Sequence, residues 1–172
     1  MEFYEPLIPN PYPDRAWTTI SGFKYRTPLY LMRGIEAVQN RDGEDADYLV
    51  GREYRVTFDL DGEAREIVVP RGMITDLSSV PRPTRPIIDR VGPHLEASIL
   101  HDFLYVAWQS LTGREARSED RRFADELFLI AMIEAGVGWL KRNAIYSAVR
   151  VGGWSAYEGR NEPRYVWLPP DC

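Results

Sequence analysis

Tyr54, Val56, Phe58 and Leu60 alternate with Arg55, Thr57 and Asp59. Successive side chains of a strand point to opposite faces, so this alternation describes a strand with one face in a core and the other in water. Asp61-Gly62 follows at once, a pair that tolerates the positive φ of a tight hairpin turn, and EAREIVVP continues as the return strand. Strands are therefore expected through Thr18 to Val69, with the acidic stretch Asn40 to Asp47 as an exposed loop between them. Beyond Pro93 the period changes. Leu95, Ile99, Phe103 and Val106 recur at helical spacing as far as Trp108. A second helix is expected from Ser118 as N-cap, with Glu119 and Asp120 in its first turn, to Gly136; a third runs from about Trp139 to Val151. The expected fold is α+β: an N-terminal antiparallel β-sheet packed by about three C-terminal α-helices.

The ends differ from this middle. Residues 1–14 hold Pro6, Pro9, Pro11 and Pro13 with Phe3, Tyr4, Leu7, Ile8 and Tyr12 between them, a pattern that excludes helix and favours an extended path. Residues 160–172 are similarly rich in proline and aromatics. The reading is an extended arm over 1–14, one α+β domain over 15–159 and an extended tail over 160–172. Arms of this composition lose little entropy on ordering and offer large apolar areas. Phe3, Tyr4, Leu7 and Tyr12, or Tyr165 and Trp167, are thus expected to contact another chain, and removing the arms to leave the central domain folded.

Bulk composition narrows the function. The 172 residues suit one domain, and a formal charge of −5 with only Lys24 and Lys141 as lysines argues against a nucleic-acid partner. The single cysteine, Cys172, permits neither an intrachain disulfide nor a cysteine metal cage. No apolar run approaches bilayer length, and MEFYEPLIPNPYPD lacks the basic and apolar segments of a signal peptide, so neither membrane insertion nor a signal peptide is expected.

Three polar islands interrupt apolar sequence: Asp76, Ser78 and Ser79 within PRGMITDLSSVPR, His101 and Asp102 within ASILHDFLY, and Asp125 within RFADELFLIAM. A buried carboxylate beside an imidazole is costly unless paired, so the islands are expected to share a site lining a concavity, with Asp125 or Asp76 within reach of His101. His101, Asp102 and Asp125 have the donor types for one divalent metal ion such as zinc, which could activate a water. Asp76 would then be ligand or base. A serine mechanism would use Ser78 or Ser79 with His101 as base, but the segment lacks the small-residue elbow of GxSxG hydrolases. The plain alternative has Asp102 bridging to Arg114, Arg117, Arg121 or Arg122 and His101 donating to a backbone carbonyl. His94, at the helix start, is expected to face solvent.

PRGMITDLSSVPR, ILHDFLY, ADELFLIAM and AIYSAVRVGGW, in this order, resemble the domain-of-unknown-function 1353 family of tailed phages and prophages, Gifsy-type prophages among them, over about Val69 to Trp154. The family's polar signature falls on Asp76, Ser79, Arg82, His101, Asp102, Tyr105 and Asp125, all present. The resemblance implies a phage or prophage origin and supplies no reaction. ILHDFLY also resembles the His-Asp helix of the HD phosphohydrolases, which carry a further metal-binding histidine on another helix. Here the only other histidine is His94, on the same expected helix.

The expectation is a phage virion structural or assembly component, of the tail or its attachments, located in the virion or the host cytoplasm. Its partners would be other virion proteins or copies of itself, held through the arms. The alternative is a metal-dependent hydrolase of a cell-wall polymer or phosphoester, with Asp76, Ser79, His101, Asp102 and Asp125 as its site.

Overall fold

The hairpin forms where the sequence places it. In the computed structural model, which describes residues 2–33, 48–75, 92–159 and 164–169, Asp61 and Gly62 adopt φ of 51° and 82° and join β4 (Tyr54–Leu60) to β5 (Glu63–Val69). β4 pairs on its other edge with β1 (Ile20–Tyr25), giving an antiparallel sheet of order β1-β4-β5 with Tyr54 opposite Val69 and Leu60 opposite Glu63. The alternation is realised: Tyr54, Val56, Phe58 and Leu60 are all buried.

One sheet is expected, and the described residues form two. β2 (Leu31–Arg33), β3 (Tyr48–Val50) and β6 (Ile74–Thr75) make a second antiparallel sheet of order β2-β3-β6. Strands of two or three residues are too short to show a period, so their pairing depends on long-range contacts. The acidic loop lies outside the described residues.

Four α-helices follow among the described residues. α1 (Leu95–Val106) tightens into a 3-10 turn over Ala107–Ser110, and α2 (Ser118–Glu134), α3 (Trp139–Gly152) and α4 (Trp154–Glu158) complete the chain's helical half. Ser118 is the first helical residue rather than the cap; Arg117 holds the cap position with extended backbone and no side-chain cap bond. Arg114 instead forks onto Asp120 through two bonds of 2.8 Å, fixing the first turn by a charge-assisted pair. α4 gave no periodic signal because it is barely more than one turn.

α2 lies along the first sheet. Tyr25 donates to the Ala131 carbonyl at 2.7 Å, and Phe123 sits between Trp17 and Phe58 at centroid distances of 5.6 and 6.0 Å. Each fully buried aromatic here adds about 1.5–3 kcal/mol. Among the described residues no helix is long and apolar enough to cross a membrane.

The two ends are woven into this fold. Ile74 N–H donates to Arg164 O and Val166 N–H to Gly72 O, both at 2.9 Å; on the opposite edge Tyr4 N–H donates to Tyr165 O at 3.3 Å and Trp167 N–H to Glu2 O at 2.7 Å. The stretch 164–167 is thus a middle strand between the chain's start and β6. Arg71 adds bonds to the carbonyls of Gly51, Leu168 and Pro169. Tyr12 is wholly buried; its hydroxyl donates to Leu104 O at 2.5 Å and accepts from Trp108 N–H at 3.1 Å, closing the end of α1. Tyr12 and Tyr165 therefore spend their surfaces inside their own chain and are not available to a neighbour, contrary to expectation. The proline-rich path carries them across the α1 terminus and the sheet edge, where unsatisfied backbone groups receive them.

Candidate functional site: a His-Asp cluster between three helices

α1 presents His101 and Tyr105 one turn apart, so both side chains face α2. Asp125 of α2 meets them: its Oδ1 accepts from His101 Nε2 at 2.9 Å and from the Tyr105 hydroxyl at 2.7 Å. Its Oδ2 accepts from Arg150 of α3 at 2.9 Å, with the Arg121 guanidinium, one turn earlier on α2, at 3.8 Å. The His101 ring is sandwiched by Phe128 at 4.4 Å and Tyr105 at 4.1 Å between centroids. His101 and Asp125 side chains are 1% and 0% exposed.

This packing decides the electrostatics. Burial by itself would raise the Asp125 carboxyl, but the hydrogen bond and charge of His101, with the bonds from Tyr105 and Arg150, hold it below its ordinary range. Burial raises the Tyr105 phenol well above its ordinary value, and the neighbouring Asp125 charge adds to this. The other ring nitrogen of His101, Nδ1, is buried and has no hydrogen-bond partner among the described residues.

Asp102 points elsewhere. Successive helical residues diverge by about 100°, and Thr75, the last residue of β6, donates to Asp102 Oδ2 at 2.5 Å. The described residues thus bring Asp125 to His101 as expected, add Tyr105 to the pair, and leave Asp102 beside β6. Among them no three of His, Cys, Asp or Glu gather closely enough to hold a metal ion, so the set of His101, Asp102 and Asp125 is not assembled. Asp76, Ser78, Ser79 and Arg82 lie outside the described residues. The side chains of His101 and Asp125 are buried, 1% and 0% exposed, and line no open surface among the described residues. The plain alternative is also amended: His101 pairs with a carboxylate rather than a carbonyl, and Arg114 and Arg122 take Asp120 and Glu126.

His94, expected to face solvent, is buried. Gly92 packs so closely on its ring that an added Cβ would stand 3.2 Å from it, which draws the helix start inward. Sequence reasoning missed Arg150, Phe128 and Thr75 as members of the site. The Arg121-Asp125 spacing was readable as a one-turn pair, whereas Arg150 sits on a helix whose cations carry no local sign of an inward partner.

The family model described as "Protein of unknown function (DUF1353)" matches residues 52–149, more than half of the chain. The match begins earlier than the motifs suggested, takes in the β4-β5 hairpin, and contains His101, Asp102, Tyr105 and Asp125. No curated protein and no solved structure matches the chain. With the hairpin, the His-Asp helix and the Asp125 helix all inside the matched span, the chain belongs to the DUF1353 family.

Proposed function

We propose that the protein is a structural or assembly component of a tailed-phage particle, working in the tail or its attachments, in the virion or the host cytoplasm. The observation that carries this reading is the closure of the His101-Asp125 cluster. Both Asp125 oxygens are taken by donors of the same chain and the side chains are sealed from solvent, so the cluster braces α1, α2 and α3 against one another. Partners are other particle proteins met through the interwoven ends, where Phe3, Leu7 and Trp167 remain exposed. An acidic net charge supports protein partners over nucleic acid.

Mass spectrometry of purified particles from the replicon that encodes the chain tests this, with Phe3→Ser, Leu7→Ser and Trp167→Ser combined as the variant. The expected result is a fixed ratio of this protein to the other particle proteins, lost in the variant while circular dichroism is unchanged. Its absence from particles, with normal particle yield after gene deletion, would overturn the reading.

One observation favours a metal-dependent hydrolase instead: His101 Nδ1 is buried without a hydrogen-bond partner among the described residues, on a ring that Asp125 orients as it would a base or a ligand. That reading requires a stoichiometric metal in the purified protein, removed by His101→Gln together with cleavage of peptidoglycan or of a phosphodiester.

A further inference from the structure

The N-terminal arm has two halves that are held in different ways. Its inner half is anchored by a helix: Ile8 and Tyr12 are buried, and the Tyr12 hydroxyl bonds the Leu104 carbonyl and Trp108 N–H at the end of α1. Its outer half, residues 2–5, rests on the other end of the chain. Phe3 bridges Val166, Tyr4 N–H donates to Tyr165 O, and Glu2 O accepts from Trp167 N–H. Among the described residues, the backbone of residues 2–5 pairs with no other strand.

The dependence is one-sided. Residues 164–166 are also bonded along their opposite edge, where Ile74 N–H donates to Arg164 O, Val166 N–H donates to Gly72 O, and Met73 bridges Tyr165. Residues 72 and 73 are fixed in turn by Val50 of β3, which accepts from Gly72 N–H and donates to Met73 O. Tyr165 and Val166 are wholly buried, whereas Phe3 is half-exposed and Leu7 fully exposed. Burial and a second bonded edge therefore hold the C-terminal stretch whether or not the outer arm is present; the outer arm has neither. Two side-chain bonds tie it elsewhere, from the Tyr4 hydroxyl to Arg71 O and from the Ser110 hydroxyl to Glu5, but neither is buried, and water competes for such bonds.

We propose that residues 164–167 are a latch for the N-terminal arm. Seated on residues 72–74, they hold the outer arm; when they lift, residues 2–7 swing free about Ile8 while Tyr12 stays docked on α1. Freeing the arm, by contrast, leaves the latch in place. Local openings of this kind lie below global unfolding in free energy. Synthesis runs from the N-terminus, yet the first residues of this chain have no docking place until residues 164–167 have been made and seated. Any event that lifts the latch bares two strand edges at once, that of residues 2–4 and that of residues 72–74. The latch does not depend on the particle role proposed above.

Amide hydrogen exchange of the full chain, resolved by residue in NMR, tests the direction of the coupling. Val166→Pro removes the donor that the latch gives to Gly72, and Tyr4→Pro removes the donor that the arm gives to Tyr165. For Val166→Pro the expected result is exchange about tenfold faster at Tyr4 and Trp167 as well as at Ile74, with the amides of β4 unchanged. Tyr4→Pro should speed Trp167 and leave Ile74 and Val166 as slow as before. Gly72→Ala, whose added Cβ would collide with Val166 O, gives a second way to lift the latch. Tyr4 still protected while Ile74 exchanges fast would overturn the proposal, since the arm would then dock independently. So would equal loss at Ile74 and Val166 in Tyr4→Pro, which would make the coupling mutual. Lost protection in β4 in both latch variants would overturn it as well, because the stretch would then be inseparable from the core.

Discussion

Asp125 receives His101 and Tyr105 from α1 and Arg150 from α3 while Arg121 stands beside it on α2, so one carboxylate ties three helices. Removing one partner of a buried ion pair leaves the rest desolvated and uncompensated. Asp125→Ala is therefore expected to cost about 3–5 kcal/mol, and Tyr105→Phe, which loses one bond to a charged acceptor, about 1.5–3 kcal/mol, both read from urea unfolding midpoints. The pH response has a definite sign. Because the Asp125 carboxyl is depressed in the fold, its contribution is complete above the ordinary value of 3.8 and is lost as pH falls through the lower folded value. The phenols of Tyr12, Tyr54, Tyr105 and Tyr157 are raised, first of all by burial, so theirs is complete below the ordinary 10.0 and is lost as pH rises past it. Unfolding free energies measured across pH should form a plateau with an acid and an alkaline limb, and Asp125→Asn should flatten the acid limb.

Elements differ in how plainly they announce themselves. β4, β5 and α1 to α3 were readable because each repeats its period often enough to separate a strand from a helix, and His101 and Asp125 stood out as charges in apolar runs. β2, β3 and β6 are too short for that, and the destination of Asp102, decided by Thr75 on a distant strand, leaves no mark on its own helix. The proline-rich start was legible as extended but not as core, since nothing local says that Tyr12 will close the end of α1. Tyr12→Phe should cost about 1–3 kcal/mol for the two bonds lost, by thermal or urea unfolding. Gly72 carries a further test. Its φ is 83°, and an added Cβ would stand 2.0 Å from Val166 O, so Gly72→Ala should detach the stretch 164–167 from β6, seen as faster hydrogen exchange at Val166 and earlier proteolysis there.

The protein as a unit depends on its ends. With Ile8, Tyr12 and Tyr165 in the core and Arg164 paired to Glu5, a chain cut to residues 15–159 is expected to lose cooperative unfolding in calorimetry, the reverse of what composition alone suggested. With the cluster sealed and the ends interwoven, Phe3, Leu7 and Trp167 remain among the exposed large hydrophobic residues. The hydrogen bond of 2.7 Å between Trp167 N–H and Glu2 O has one more consequence. Glu2 and Trp167, far apart along the chain, are neighbours in space, so the path between them is nearly a closed ring, open at this seam. A short peptide bridge across the seam would complete the ring, and new ends could then be opened at the exposed Asp61-Gly62 turn, giving a circularly permuted protein with the same contacts in a different order.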